Sequence, residues 1–228
     1  MKRSWNEISI GGKKISPSGK SVITSVYADD SDSMIDILRK DRDLRRSLIE
    51  IRYDLFQERS VKDIDNLLAY LKEEEVDYVF TYRGSENYIE YYREAFVYGA
   101  PCVDLDNRIA GSIQVPDNIV RMISYHGIDG AIRIDEICNS LAFVDPDIFK
   151  IAIKYDSEIN FYQDLISLIS FFSKSDRPMC FSPMGSSGFM RIIAAFSVSD
   201  IVYASYGNRK TAEGQLSAAD CKRILKFL

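Results

Sequence analysis

The residues of this sequence best suited to acid–base and covalent chemistry are one histidine and two closely spaced lysines. His126 is the only histidine, and histidine takes and gives protons near neutral pH because its ordinary pKa is about 6.5. The segment Ile148–Lys154 carries Lys150 and Lys154, which alternation places on the same face. An uncharged lysine amine attacks ketones and aldehydes to form a Schiff base. A lone histidine at a strand end often only makes hydrogen bonds, so either residue type alone is weak evidence and the combination carries the hypothesis.

A second group of charged residues lies in the segment Leu48–Asp54. Strict alternation places Glu50, Arg52 and Asp54 on one face and apolar residues on the other. In a closed barrel the outer face of each strand is covered by helices, so the charged face must point inward. A structural ion-pair network inside the barrel would produce the same pattern. The segment therefore predicts a charged interior, which suits either a network or an active site.

The elements that would position these residues alternate regularly along the chain. Helical periodicity is clear in Val61–Glu75, Tyr162–Ser175 and Ser217–Leu228. Eight strand-like runs lie between such segments: Ser21–Tyr27, Leu48–Asp54, Asp77–Arg83, Pro101–Asp106, Arg121–His126, Ile148–Lys154, Pro178–Met184 and Ile201–Tyr206. This pattern predicts a single (β/α)8 TIM barrel over residues 1–228 rather than an open doubly wound sheet. The fourth repeat is the weakest, because Pro116 interrupts the segment after Asp106.

Composition excludes several other classes of protein. The net charge is −5 with 28% charged and 46% hydrophobic residues, so a nucleic-acid backbone is not an expected partner. The longest apolar runs are too short to cross a bilayer, and the first residues lack the apolar core of a signal peptide. The four cysteines are widely separated, which indicates reduced thiols rather than a metal site or disulfides. We therefore expect a cytoplasmic protein.

Active sites of such barrels lie at the carboxyl ends of the strands. His126 and Lys150 fall on neighbouring strands with their side chains toward the same lumen. Five motifs follow one another in order: Glu50-x-Arg52-x-Asp54, Thr81-Tyr-Arg83, Ser124-Tyr-His126, Lys150-Ile-Ala and Thr211-Ala-Glu-Gly-Gln215. In order and spacing they resemble type I 3-dehydroquinate dehydratase. The resemblance extends from Ser25 to Asp220, nearly the whole chain.

The resemblance implies a hydro-lyase that converts 3-dehydroquinate to 3-dehydroshikimate in the shikimate pathway of aromatic amino-acid biosynthesis, with no metal or nucleotide cofactor. Lys150 would form an imine with the substrate ketone; the Lys-Ile-Ala context selects it over Lys154. His126 would remove a proton and help deliver one to the departing hydroxyl. The implied substrate contacts are Ser25, Glu50, Arg52, Arg83, Arg191, Thr211 and Gln215. Among them, Arg191 would bind the substrate carboxylate.

The sequence departs from the family pattern at three places. The family commonly has a carboxylate four residues beyond the strand-three arginine, paired with the histidine, whereas Glu86 stands three residues beyond Arg83. Glu86 is the expected partner of His126, with a residue of the second strand as the alternative. The stretch before Arg191 is one residue short and has a proline before Met184, which predicts a small displacement of Arg191. Thr211 stands where serine is usual and keeps the hydroxyl.

Two other functions remain open at this point. A class I aldolase would use the same lysine and would need a phosphate site, for which Gly185–Gly188 at a helix start is the candidate. A barrel that serves only as a binding scaffold is the other alternative. The closing segment Thr211–Gln215 favours the dehydratase. We also expect a homodimer, for which the apolar residues Ile224, Leu225 and Phe227 of the last helix would suit an interface.

Overall fold

Eight parallel strands form the centre of the molecule. The structure, a computed structural model, describes residues 5–185 and 188–226. Its strands are β1 (Ile8–Ile10), β2 (Lys13–Ile15), β3 (Ser21–Val26), β4 (Ile49–Arg52), β5 (Tyr78–Thr81), β6 (Cys102–Asp106), β7 (Val120–Ile128), β8 (Ile148–Lys154), β9 (Met179–Met184) and β10 (Ile201–Ser205). From β3 to β9 each strand pairs with the next, and β10 pairs with β3. At the remaining seam the Asp200 amide donates to the Met179 carbonyl over 2.7 Å, so the sheet is a nearly closed barrel.

Helices cover the outside of this barrel. They are α1 (Ser31–Lys40), α2 (Arg42–Arg45), α3 (Val61–Glu73), α4 (Tyr88–Val97), α5 (Ile134–Phe143), α6 (Glu158–Phe172), α7 (Phe189–Ser197) and α8 (Ala218–Leu225). Two of them begin at a serine whose hydroxyl accepts an amide hydrogen bond, Ser60 before α3 and Ser217 before α8. The predicted weak repeat is real, because the described chain between β6 and β7 has only a 3-10 turn at Ala110–Ser112. Within the described residues, none of the helices is long and apolar enough to span a membrane.

The barrel interior is apolar at the end where the strands begin. Ile23, Val79, Met122 and Ile148 pack there with other early strand residues. The hairpin β1–β2 closes this end, because Ile10, Ile15 and Trp5 belong to the same buried cluster. At the opposite end, where the strands finish, polar and charged side chains point into the barrel.

The predicted TIM barrel is confirmed, and the predicted strands agree with the structure within a few residues. Ile148–Lys154 matches β8 at both ends, and α6 begins four positions before the predicted Tyr162. The prediction for the second strand extended too far, because β4 ends at Arg52 and Asp54 lies in a 3-10 turn, Tyr53–Leu55. Asp54 therefore leaves the strand alternation. It still binds Arg52, with contacts of 2.8 and 2.7 Å.

Candidate active site

Lys150 is the cation at the centre of the barrel. Its Nζ donates to Glu50 Oε1 at 3.0 Å and to Asp104 Oδ2 at 2.6 Å, and it lies 3.7 Å from the ring centroid of Tyr203. Lys154, which alternation could not distinguish from it, has a side chain 48% exposed and pairs with Glu213 at 3.0 Å. Burial therefore separates the two lysines and leaves Lys150 as the one inside the barrel.

Two buried carboxylates stabilise the Lys150 ammonium. Glu50 also accepts hydrogen bonds from Ser25 Oγ at 2.7 Å and Thr81 Oγ1 at 3.0 Å. Burial alone would raise the pKa of Glu50, but the charges of Lys150 and the nearby arginines outweigh it and bring the pKa down to about 2. Burial acts in the same direction on Asp104, yet Lys150 and a neighbouring arginine lower its pKa. Both groups are therefore carboxylates near neutral pH.

Asp104 is a residue that the sequence analysis missed. The signal was present, since alternation along β6 places Cys102, Asp104 and Asp106 on one face, as it does Glu50 and Arg52 on β4. Asp106 pairs with Arg108, whose Nε and Nη2 donate to its two carboxylate oxygens at 2.7 and 2.9 Å. Asp104 instead lies fully within the barrel against the amine.

His126 lies two positions beyond Ser124 on β7, the strand that pairs with β8. Its Nδ1 is 3.1 Å from Nη1 of Arg83, and its Nε2 is buried without a hydrogen-bond partner among the described residues. Burial, and then the positive charges of Arg83, Lys150 and Arg52, hold the pKa of His126 well below its ordinary value. The ring is therefore uncharged near neutral pH, as a general base requires.

The structure does not bring Glu86 to His126. Glu86 is exposed in the loop between β5 and α4, and its backbone carbonyl accepts from Tyr82 Oη at 2.9 Å. Asn87, with a φ of 54°, turns the chain into α4 directly afterwards. The predicted carboxylate partner is thus replaced in this structure by Arg83. Neither strand-two carboxylate contacts the ring among the described residues: Glu50 binds Lys150, and Asp54 binds Arg52.

A cavity of about 270 Å³ joins these groups to the remaining predicted residues. All the predicted substrate-binding residues line it together with His126 and Lys150: Ser25, Glu50, Arg52, Arg83, Arg191, Thr211 and Gln215. The sequence analysis missed five further lining residues, Ala152, Ser182, Met184, Tyr203 and Ala212. Strand alternation along β10 could have predicted that Tyr203 points inward. It was missed because the search was for charged side chains and tyrosine is neutral. Burial holds the pKa of Tyr203 well above its ordinary value, so it contributes a neutral phenol.

Arg191 offers an anion site at one side of the cavity. The side chain is buried, its Nη2 donates to the Glu213 carbonyl at 3.3 Å, and no carboxylate pairs with it in the part of the chain that the structure describes. Burial lowers its pKa to about 10, so it remains a cation at neutral pH. A buried guanidinium with spare donors is well suited to a ligand carboxylate. Ser186 and Ser187, within the shortened stretch and the alternative phosphate site, lie outside the described residues.

The segment Thr211–Gln215 lies over the cavity and is held by one glutamine. Gln215 Oε1 accepts from the Thr211 amide at 2.8 Å and from its hydroxyl at 3.1 Å. Gln215 Nε2 donates to Ser25 Oγ at 3.4 Å. Because Ser25 also donates to Glu50, this chain of contacts links the covering segment to the buried carboxylates.

The described residues contain no group of three or more histidine, cysteine, aspartate or glutamate side chains that could hold a metal ion. The four cysteines are buried and free. Burial holds the pKa of Cys102 well above its ordinary value, so this thiol next to the cluster is not a thiolate at neutral pH.

Comparison with known proteins decides the family. Residues 22–228 match the sequence model of type I 3-dehydroquinase. The chain belongs to this family. The 3-dehydroquinate dehydratase of Thermoplasma acidophilum is 34% identical over 213 residues, 93% of this chain and 92% of that protein. That of Thermoplasma volcanium is 34% identical over 212 residues, 92% and 90% of the two chains.

Solved structures of the family share the fold. The 3-dehydroquinate dehydratase from Geobacillus kaustophilus superposes with a TM-score of 0.80 at 20% identity, over 100% of this chain and 98% of that one. A type I enzyme from Clostridium difficile, described with covalently modified comenic acid, gives a TM-score of 0.80 at 18% identity over 98% and 97% of the chains. The predicted family, a hydro-lyase family of the shikimate pathway, is confirmed. The roles of individual residues remain predictions.

Proposed function

We propose that this type I 3-dehydroquinase dehydrates 3-dehydroquinate to 3-dehydroshikimate through an imine on Lys150, with His126 as the proton carrier. The observation that carries the proposal is the burial of Lys150 between Glu50 and Asp104 at a cavity that His126 also lines. In the register of β7 and β8, Ser124 is opposite Lys150 and His126 opposite Ala152. Adjacent strands therefore carry the amine and the imidazole on the same face, and His126 lies two residues beyond the position opposite Lys150.

Imine formation begins with a proton transfer. The Lys150 ammonium donates to Glu50 and Asp104, whose lowered pKa values make both poor proton acceptors, so it must lose its proton through the cavity to solvent before the nucleophilic amine is available. The amine adds to the ketone carbon of the substrate, and loss of water gives the carbon–nitrogen double bond. The iminium then withdraws electrons from the neighbouring carbon.

His126 carries the proton in the elimination that follows. The uncharged ring takes a proton from the carbon beside the iminium, and the electron pair moves toward nitrogen to form an enamine. Return of these electrons expels the hydroxyl group on the next carbon, which leaves as water with the proton from His126. Hydrolysis of the imine releases the enone product and restores Lys150.

The surrounding residues fit a polyhydroxylated anion. Arg191 is placed for the substrate carboxylate, because its charge has no carboxylate partner among the described residues and its Nε is buried without a hydrogen bond. Arg52, Arg83, Ser25, Thr211 and Gln215 supply donors for the ring hydroxyls. No step in this scheme calls on a metal or nucleotide cofactor.

Borohydride trapping tests the covalent step. With substrate present, reduction should add the mass of the reduced adduct to a peptide containing Lys150, and Lys150→Ala should abolish both the adduct and the conjugated-enone absorbance of the product. His126→Ala should still form the adduct but lose roughly 10²–10⁴-fold in turnover. Lys154→Ala is the matched control and should retain both. An active enzyme whose Lys150 stays unmodified would contradict the proposal.

We propose further that the protein is a homodimer and that α6 forms the interface. Ile159 and Ile166 are 69% and 68% exposed and lie on one stripe of α6 with the less exposed Tyr162 and Ile169. The helix has an acidic residue, Glu158, at its start. A lysine, Lys174, follows its end. Antiparallel pairing of two copies about a twofold axis would place each charge opposite its complement.

This interface replaces the one expected on α8. Ile224 and Leu225 are only partly exposed, and Phe227 lies outside the described residues. Light scattering should show a dimer for the wild-type protein and a monomer for Ile166→Glu. Val97→Glu, at a 71% exposed position of α4, is the control and should stay dimeric. A monomeric wild type, or a dimeric Ile166→Glu, would overturn this assignment.

We propose finally that residues 1–228 act as one catalytic domain in the cytoplasm. The pairing of β3 with β10 supports the single domain, because it joins the first and last strands of the central sheet in chain order. The biosynthetic reaction of the family supports the location.

A further inference from the structure

The contact between Arg83 and His126 fixes the position of the ring proton. Arg83 Nη1 lies 3.1 Å from His126 Nδ1, and a guanidinium has donors but no acceptor. Nδ1 must therefore accept, so its lone pair faces Arg83. In an uncharged imidazole the other nitrogen then carries the hydrogen, which places the proton on Nε2.

A ring in this form is not yet a base. Its one available lone pair is occupied by Arg83, and Nε2 can only donate. Proton abstraction requires either that Nδ1 itself becomes free or that the proton moves to Nδ1 and frees Nε2. Both routes need the Arg83 guanidinium to leave Nδ1.

Arg83 is held loosely enough for such a movement. Its Nη2 is 3.6 Å from Asp104 Oδ2, an ion pair longer than a hydrogen bond. Its Nε is buried without a hydrogen-bond partner among the described residues. The guanidinium lines the cavity and has donors to spare, so an oxygen-rich ligand can draw it away from His126.

We propose that Arg83 is a positioning residue that keeps His126 in the Nε2–H form in the free enzyme and releases Nδ1 when a hydroxylated, anionic substrate binds. This rests on the proposed function of His126 as the proton carrier. The base is then produced only in the occupied site. A carboxylate partner would hold the opposite form, with the hydrogen on Nδ1, before any substrate arrives.

The single histidine makes the test direct. Protein without an affinity tag, labelled with ¹⁵N-histidine, gives one pair of ring signals. In nuclear magnetic resonance spectra at neutral pH, the free enzyme should show a protonated Nε2 and an unprotonated, hydrogen-bonded Nδ1. Addition of the product 3-dehydroshikimate should shift the Nδ1 signal as Arg83 leaves it.

Variants distinguish positioning from a general structural effect. Arg83→Met should shift the Nδ1 signal to that of an unbonded nitrogen and populate the Nδ1–H form, whereas Arg83→Lys, which keeps a donor and a charge, should restore part of the wild-type spectrum. Arg108→Met makes the same chemical change at a 77% exposed arginine and should leave the His126 signals unchanged.

A free wild-type enzyme with the hydrogen on Nδ1 would overturn the proposal, and so would an Arg83→Met spectrum equal to that of the wild type. These measurements on the free protein need no turnover. Failure of the catalytic scheme would appear separately, as absence of a borohydride adduct on Lys150. In kinetics, Arg83→Met should lower kcat as well as raise KM, because a residue that only bound substrate uniformly would change KM alone.

Discussion

At the scale of single residues, the interior of this barrel is an ion cluster centred on Lys150. Burying a charge costs several kcal/mol unless partners and hydrogen bonds compensate. Here Glu50 and Asp104 share the ammonium, and Ser25 and Thr81 satisfy Glu50 further. These buried charges therefore compensate one another, and the cluster is coupled to the fold as well as to the chemistry.

Glu50→Gln tests that coupling. Loss of one carboxylate leaves the Lys150 charge undercompensated, so we expect a loss of about 3 kcal/mol in the free energy of unfolding together with loss of activity. Urea unfolding at neutral pH measures the first effect. Glu213→Gln removes the exposed partner of Lys154 and should cost less than about 1 kcal/mol. Equal losses in the two variants would contradict the coupling.

The residues of this cluster were predictable where strand alternation applies and not elsewhere. Glu50, Lys150 and His126 lie on strands, so parity fixed their direction, and the same rule would have found Asp104. Glu86 lies in a loop, where direction depends on the dihedral angles of each residue. A positive φ at Asn87 turns the chain there. Asparagine adopts such a φ more readily than most residues, but its presence does not show where the Glu86 side chain points.

At the scale of elements, the strands set the direction of the side chains that line the cavity, and the segment after β10 covers that cavity. The two glycines between β1 and β2 are typical of a hairpin turn, and Gly11 has a φ of 58°, which favours glycine. The sequence analysis did not predict this hairpin. The covering segment 211–215 has no regular structure, so its position depends on side-chain contacts. Gln215 makes most of them.

Gln215→Ala should loosen this segment. Three hydrogen bonds would be lost, at about 1 kcal/mol each for a well-made bond, so the local opening equilibrium should rise by at least roughly tenfold. Trypsin cleavage at the exposed Arg209 and Lys210 measures that opening in the free enzyme, and KM should rise. Gln57→Ala, which removes an exposed hydrogen bond to Asp29, is the control. An unchanged cleavage rate in Gln215→Ala would rule out the tether.

At the scale of the whole molecule, the barrel separates a stabilising end from a reactive end. The apolar cluster under the hairpin packs the end where strands begin, and the charged groups gather where strands finish. This division was predictable, because a TIM barrel places its site at one end whatever the loops do. The α6 surface was less predictable, since helical periodicity shows a stripe but not whether the barrel or a second copy covers it.

The reactive end should make the stability of the whole protein sensitive to acid. The pKa of His126 is lowered in the folded state, so the unfolded chain binds a proton first as the pH falls. The contribution of the uncharged ring is fully present above the unfolded pKa, about 6.5, and is lost as the pH falls from there toward the folded pKa. Its limiting slope is about 1.4 kcal/mol per pH unit.

His126→Gln isolates this contribution, because glutamine does not titrate. Urea unfolding of both proteins at pH 7.5 and pH 5.5 should show that the wild type loses more stability than the variant, by up to about 1.4 kcal/mol per pH unit below about 6.5. Glu50, whose pKa is lowered to about 2 in the folded state, is present in both proteins. The stability that its protonation removes at lower pH therefore cancels in the comparison. If the two proteins lost equal stability between these pH values, His126 would titrate alike in the folded and unfolded states, contrary to its half-buried position near three cations.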